Sequence, residues 1–150
     1  METPDSKCFV YSMDYIYRYP KSAKDLTAKL HEKQFSVDDI EETMEYLEYK
    51  WYVNDADFAE RYILSQCVNK WKSALWVENK LRQKSIDKDI IRGVLRTHKR
   101  EIDKAISEYL QKTIAQIIEK WESTDKMIQK LRRQGYQYEQ IKDAMFALGT

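Results

Sequence analysis

Only three glycines and two prolines occur in 150 residues, so the chain has few points at which regular structure must break. The glycines are also too few for a phosphate-cradling loop: GxGxxG, GxxxxGK[ST] and GxSxG are all absent, as is HExxH. The two cysteines, Cys8 and Cys67, show no CxxC or Cys/His spacing and lie in helical apolar patterns, which suits reduced thiols rather than a disulfide frame or metal site. His31 and His98 stand among charged residues with no repeated Asp, Glu or Cys partner. No apolar run approaches the roughly 18 residues of a membrane span, and METPDSK lacks the basic-then-apolar order of a secretory leader. The expectation is a cytoplasmic protein that is not an enzyme, carries no cofactor and does not meet the membrane.

What the chain does have is charge and apolar periodicity. With 43% hydrophobic and 34% charged residues, it fits an all-α soluble protein better than a sheet or a disordered segment. The net charge of +1 hides a segregation: residues 21–60 hold 5 basic and 11 acidic side chains, whereas residues 61–104 hold 12 basic and 5 acidic ones. Such a division either creates a local field that selects a partner or reflects solvated helix faces of opposite sign.

Three stretches nearly repeat one another: KLHEKQFSVDDI at 29–40, KLRQKSIDKDII at 80–91 and KLRRQGYQYEQI at 130–141. At offsets of 51 and then 50 residues, Ser22, Ser73 and Ser123 coincide, as do Leu30, Leu81 and Leu131, then Ile40, Ile91 and Ile141. Phe35, Ile86 and Tyr136 match conservatively, with Leu26, Val77 and Met127 a turn before the shared Leu and Met44, Leu95 and Met145 a turn after the shared Ile. So many apolar coincidences at one period mark an internal repeat.

Each copy predicts three helices. Ser22 introduces a second helix with Leu26 and Leu30 on one face, and Phe35 pins the turn. A third helix starts near Ser36 with Asp39 as its capping partner and buries Ile40, Met44 and Leu47; Asp87 takes the capping place in the second copy, and Gly135 ends the preceding helix in the third. Upstream, Met13, Ile16 and Tyr17 align with Leu64, Cys67 and Val68 and with Ile114, Ile117 and Ile118, a predicted apolar stripe in each first helix. Pro20, Trp71 and Trp121 align at its end, and the two tryptophans read as core anchors. Residues 100–121 predict a helix of about 30 Å that would separate the third unit from the second. The expected organisation is a tail at 1–7 and three-helix repeats at 8–50, 51–99 and 100–150, stacked as a curved, elongated rod.

With that pattern in place, YVNDADFAERYI at 52–63 resembles the RecX family of recombinase regulators, whose first unit leads into the second through an Asn/Asp-Asp turn, Phe-Ala and an aromatic residue. On that resemblance Asn54 and Asp55 would cap a helix, Phe58 and Ala59 would pack inward and Tyr62 would follow a turn later. The Ser, Lys-Leu, bulky apolar, Ile order of each unit and the Arg-Arg-x-Gly-Tyr turn of the third are similar to the family as well. The chain departs from it at NKWKSALWVENKL, which keeps only the aromatic Trp71 of a common Gly-Tyr/Trp-Gly segment and places an unusual Trp76. The resemblance implies a monomer that lodges in the groove of the RecA filament on single-stranded DNA. It further implies modulation, in the inhibitory direction, of recombinase and coprotease activity in DNA repair, recombination and the SOS response.

The basic residues give the candidate contact surface. Lys80, Arg82 and Lys84, then Arg92, Arg96, Lys99 and Arg100, and finally Lys130, Arg132 and Arg133, either face phosphates or an acidic partner or serve solubility. Helical spacing makes Arg92, Arg96 and Lys99 or Arg100 one stripe. Two other classes stay open: a helical scaffold that binds a different protein through Glu41, Glu42, Glu45 and Glu48, or a weak direct DNA binder that uses the basic second unit in the helix-turn-helix manner.

Overall fold

The computed structural model describes residues 1–120 and 123–149. Among them are nine α-helices and no strand. They are α1 (Lys7–Arg18), α2 (Ala23–Glu32), α3 (Val37–Tyr49), α4 (Asp55–Ile63), α5 (Ala74–Gln83), α6 (Lys88–Thr97), α7 (Lys99–Glu119), α8 (Thr124–Arg133) and α9 (Tyr138–Ala147), with a π-helical turn at Leu64–Asn69 continuing α4. The helices group by threes into stacked helical repeats.

The end of each second helix carries the repeat. Gln34, Ser85 and Gly135 have φ of 64°, 57° and 96°, the left-handed conformation that reverses a chain at a helix C-terminus. In each case the next residue donates its N–H back to the shared leucine: Phe35 to Leu30 at 3.3 Å, Ile86 to Leu81 at 3.2 Å and Tyr136 to Leu131 at 3.2 Å. A second bond from each left-handed residue reaches His31, Arg82 or Arg132 at 2.9 Å. Two orphan carbonyls are thereby satisfied, and the paired apolar residues are drawn together. Leu30, Leu81, Leu131, Ile40, Ile91 and Ile141 are all buried.

Caps at the other helix ends follow the expected chemistry with two exceptions. Ser22, Ser36 and Ser73 accept from the N–H of Asp25, Asp39 and Trp76 at 3.2, 3.2 and 3.1 Å, Asp87 accepts from Asp89, and Asn54 accepts from Ala56 and Asp57. Ser123, at the matching place in the third unit, makes no such bond. Asp55 does not cap α4; its carboxylate accepts from Ala23 N–H at 3.0 Å and so serves the N-terminus of α2 in the preceding unit.

The apolar stripe of the first helices needs correcting. Tyr17 is 90% exposed and Ile118 42%, while Leu64 is half-buried. Cys67, Ile114 and Ile117 of the expected stripe are buried and Met13, Ile16 and Val68 pack partly buried against the cores, while the full burial in α1 falls on Cys8 and Ser12, and Ala59, Ile63 and Leu110 join the other two helices' buried faces. Ile63 to Cys67 is one residue longer than Ile114 to Ile117 because the π-helical turn spends an extra residue there, so Leu64 had been matched to the place of Ile63. Phe58 and Tyr62 pack partly buried against the core beside Ala59. Trp71 is no core anchor: it is 45% exposed, and Trp121 lies outside the described residues.

Nor does the long helix separate the third unit from the second. Ile102, Ile106, Leu110 and Ile114 of α7 belong to one apolar core that runs from Ala59 through Leu81 and Ile91 to Leu131 and Ile141. The first unit closes a core of its own around Cys8, Leu26, Leu30, Ile40 and Leu47. Helix α7 is long because it lines the shared core along its length, with its apolar residues on one face.

Two stability outcomes follow. A Cβ on Gly135 would stand 2.3 Å from Ser73 Oγ, besides adopting a left-handed φ. Gly135→Ala should therefore cost about 2–4 kcal/mol, lowering Tm by roughly 4–15 °C, whereas Gly93→Ala, with open space around it, should gain about 0.5–1 kcal/mol from helix propensity. Thermal melts followed by circular dichroism measure both. Burial also pushes the Cys67 thiol up from 9.0 to about 11. The unfolded thiol ionises first, so this contribution is complete below pH 9 and is lost as pH rises toward 11; Tm should fall across that window, and fall less in Cys67→Ala.

Candidate partner-binding groove

The basic residues do not form one stripe. Helix α6 ends at Thr97 and α7 begins at Lys99, with His98 between them at φ −104° and ψ 15°. The helical register from Arg92 and Arg96 to Lys99 and Arg100 is broken at that elbow. His98 fixes it from both ring nitrogens, with Glu60 Oε1 at 3.2 Å from Nε2 and Glu101 Oε2 at 3.7 Å from Nδ1.

The elbow brings a different subset together. A groove of about 610 Å³ opens between α5, the α6–α7 elbow and the α8–α9 turn, and Arg96, Lys99 and Arg132 all line it. Its floor is apolar, from Leu75, Leu95, Ile102 and Tyr136, with Glu78 and Asp103 as the acidic contribution. Lys99 pairs with Asp103 one turn along α7. Arg96 and Arg132 have no carboxylate partner among the described residues, and both are exposed. Two free guanidinium groups beside a half-apolar trough suit a carboxylate- or phosphate-bearing surface that also brings apolar side chains.

Gly135 and Tyr136 position the groove from the third unit. Ser73 Oγ–H donates to the Gln134 carbonyl at 2.9 Å while accepting from Trp76 N–H, so one buried hydroxyl joins the start of α5 to the end of α8. Tyr136 donates its hydroxyl to the Trp71 carbonyl. Burial raises the phenol well above its ordinary range, with Tyr109 and Cys67 adding to the effect, so it stays a donor into alkaline solution where a free phenol ionises.

The remaining predicted contacts scatter. Lys84 is spent on the fold: its ammonium pairs with Asp25 of the first unit at 2.5 Å and lies 5.8 Å from the centroid of the Phe58 ring. Lys24 Nζ adds a bond to the Gln83 carbonyl at 2.9 Å, so the N-terminus of α2 and the C-terminus of α5 meet through charge. Lys80 sits over the Trp76 ring. Arg82, Arg92, Arg100, Lys130 and Arg133 are exposed and do not line the groove. Arg82, Lys130 and Arg133 lie in last turns of helices, where cations complement the dipole. Sequence reasoning overlooked the apolar floor, because Tyr136 read as a packing residue and Leu75 lies outside the repeated positions, and it overlooked the cross-unit roles of Asp55, which read as a local cap, and of Asp25, which carried no signal.

The Asp25–Lys84 pair is about one-third exposed on each side. A double-mutant cycle with Asp25→Ala and Lys84→Ala should give a coupling of about 1 kcal/mol or less that shrinks in high salt; urea melts of the four proteins measure it.

The comparisons extend the reading beyond geometry. A family model described as RecX, second three-helix domain, matches residues 54–95. Among curated proteins, the regulatory protein RecX of Bacillus pumilus is 28% identical over 145 residues, covering 93% of this chain and 54% of the relative, so the chain spans about half of that protein's length. The Clostridium botulinum protein of the same name is 27% identical over 144 residues, with 93% and 67% covered. Among solved structures, the crystal structure of RecX from Lactobacillus salivarius superposes with a TM-score of 0.83 at 21% identity, covering 95% of each chain. Together with the repeated caps and the Asn54-Asp55 turn, these matches make the chain similar to regulatory proteins of the RecX family, over residues 54–95 to their second three-helix domain and over nearly its whole length in fold.

Proposed function

We propose that this protein binds the RecA recombinase filament on single-stranded DNA and inhibits its recombinase and coprotease activities as a stoichiometric, non-catalytic partner. The observation that carries the reading is the match to proteins named regulatory protein RecX along 93% of the chain. The geometry supports it. Stacked helical units offer a long surface to another polymer, and the groove offers Arg96 and Arg132 beside an apolar floor. The division between an acidic first unit and a basic second one sets a direction for docking, since like charges brought together cost more than opposite ones gain.

Pull-down of RecA with and without single-stranded DNA and nucleotide should recover RecA most strongly with both present. Adding the protein should lower DNA-dependent ATP hydrolysis and strand exchange by RecA. The double charge reversal Arg96→Glu with Arg132→Glu should weaken that inhibition at least about tenfold, equivalent to roughly 1.4 kcal/mol. Unchanged RecA activity at stoichiometric, folded protein would sink the reading; undiminished inhibition by the reversed variant would move the contact away from the groove.

A further inference from the structure

A second surface of the molecule lies at the start of α5, in the segment where the chain departs from the RecX pattern. Trp71 takes φ +58°, in the left-handed region, a conformation that a bulky residue adopts only when its surroundings enforce it. They do so from both sides. The Trp71 carbonyl accepts from the Tyr136 hydroxyl, and the next residue, Lys72, donates its N–H to the Gln66 carbonyl at 2.8 Å. The indole then lies parallel to the Tyr109 ring, with centroids 5.4 Å apart and planes 2° apart. Tyr109 in turn leans on Tyr136 at 6.1 Å. Stacking on Tyr109 covers one face of the ring, yet Trp71 remains 45% exposed. An indole held rigidly on a tyrosine with its remaining surface in water is a platform on which a further flat ring can continue the stack.

One cation, Lys112, stands beside the platform, and two more gather on a second indole a few residues along the chain. A cavity of about 300 Å³ beside it is lined by Trp71, Tyr109 and Lys112, with Glu108 as its acid. Five residues on, Trp76 is flanked by two ammonium groups, Lys72 at 5.0 Å and Lys80 at 5.4 Å from the ring centroid. Neither lysine has a carboxylate within ion-pair distance among the described residues, and neither does Lys112. Lys21 and Lys29 likewise share the Tyr15 ring, but there Lys29 is paired with Glu32 in the acidic section; at Trp76 both charges are uncompensated, in the section of the chain with net charge +7, 12 basic against 5 acidic residues over 61–104.

We propose that Trp71, with Lys72 and Lys80, forms a contact site for single-stranded nucleic acid, in which a base stacks on the Trp71 indole and the adjoining phosphates are neutralised by the lysines. A duplex hides its base faces and an acidic peptide has no use for the open indole, whereas a single strand presents flat rings and phosphates together. The site is separate from the groove of Arg96 and Arg132 and does not rest on binding to a recombinase.

The test uses the full chain without RecA, so its failure leaves the proposed function standing. Fluorescence anisotropy with a labelled oligothymidylate of roughly 15 nucleotides reads the affinity across a salt series. Trp71→Ala should weaken binding about 5- to 150-fold, the span that stacking of one base carries, and Trp71→Phe should retain most of it. Lys72→Ala with Lys80→Ala should reduce the slope of log K against log salt by about 1.4, or 0.7 for each phosphate released. Circular dichroism confirms folding, and the lysine pair and the Phe variant carry the test if the Ala variant unfolds. Wild-type affinity in Trp71→Ala would overturn the proposal. So would equal binding and equal Trp71 dependence with a duplex of the same length. Displacement of the oligonucleotide by polyglutamate as effective as by unlabelled oligonucleotide would identify an acidic-peptide site instead.

Discussion

The structure depends on the left-handed residue that ends the second helix of each unit. At Gln34, Ser85 and Gly135 the chain reverses, and the two bonds across that reversal pull an apolar residue onto the shared leucine. Without it α3, α6 and α9 would leave in the wrong direction and their isoleucines would not meet the core. Two copies accept the cost of a side chain in this conformation, about 1–2 kcal/mol each. The third is glycine, and the reason lies in the neighbouring unit: Ser73 stands where a Cβ would go and binds the adjacent carbonyl of Gln134. One backbone requirement thus sets both the fold within a unit and, in the third, the docking between units.

Unit docking uses the same pair of helix ends twice with different chemistry. The N-terminus of α2 meets the C-terminus of α5 through Lys24, Asp25 and Lys84, and the N-terminus of α5 meets the C-terminus of α8 through Ser73. Opposed helix ends attract through their dipoles in both cases. Between the second and third units an apolar core adds to the attraction, whereas the first unit keeps its core to itself. The groove and the Trp71 platform both lie on the fused part of the molecule, where Tyr136 braces one and lines the other.

How much of this the chain discloses follows a physical division. Leu30, Leu81, Leu131 and the three isoleucines were legible because burial repeats wherever the backbone repeats. Ser22, Ser36, Asn54 and Asp87 were legible because a cap acts within three residues of itself. Asp55 was misread because its partner, Ala23, lies 32 residues away, and helix-capping rules are blind to distance of that kind. The elbow at His98 lies beside the expected start of the long helix at 100, yet the stripe from Arg92 to Lys99 or Arg100 was drawn across it because helical spacing alone carries no sign of a bend; the one-residue slip at Leu64 was missed because a π-helical turn has no composition of its own. For the site, residue type identified Arg96, Lys99 and Arg132 among ten candidates, but only the turn at His98 and the docking of the third unit decide that these three share a groove while Lys84 does not.

The charged junction between the first and second units makes the mechanical stiffness of the molecule uneven. One ion pair, one lysine–carbonyl bond and the Asp55 bond to Ala23 weaken progressively as salt screens them, while a continuous apolar core yields only when it is opened to water. A bend ahead of residue 55 therefore breaks polar contacts that salt weakens, without opening the apolar core shared by the second and third units.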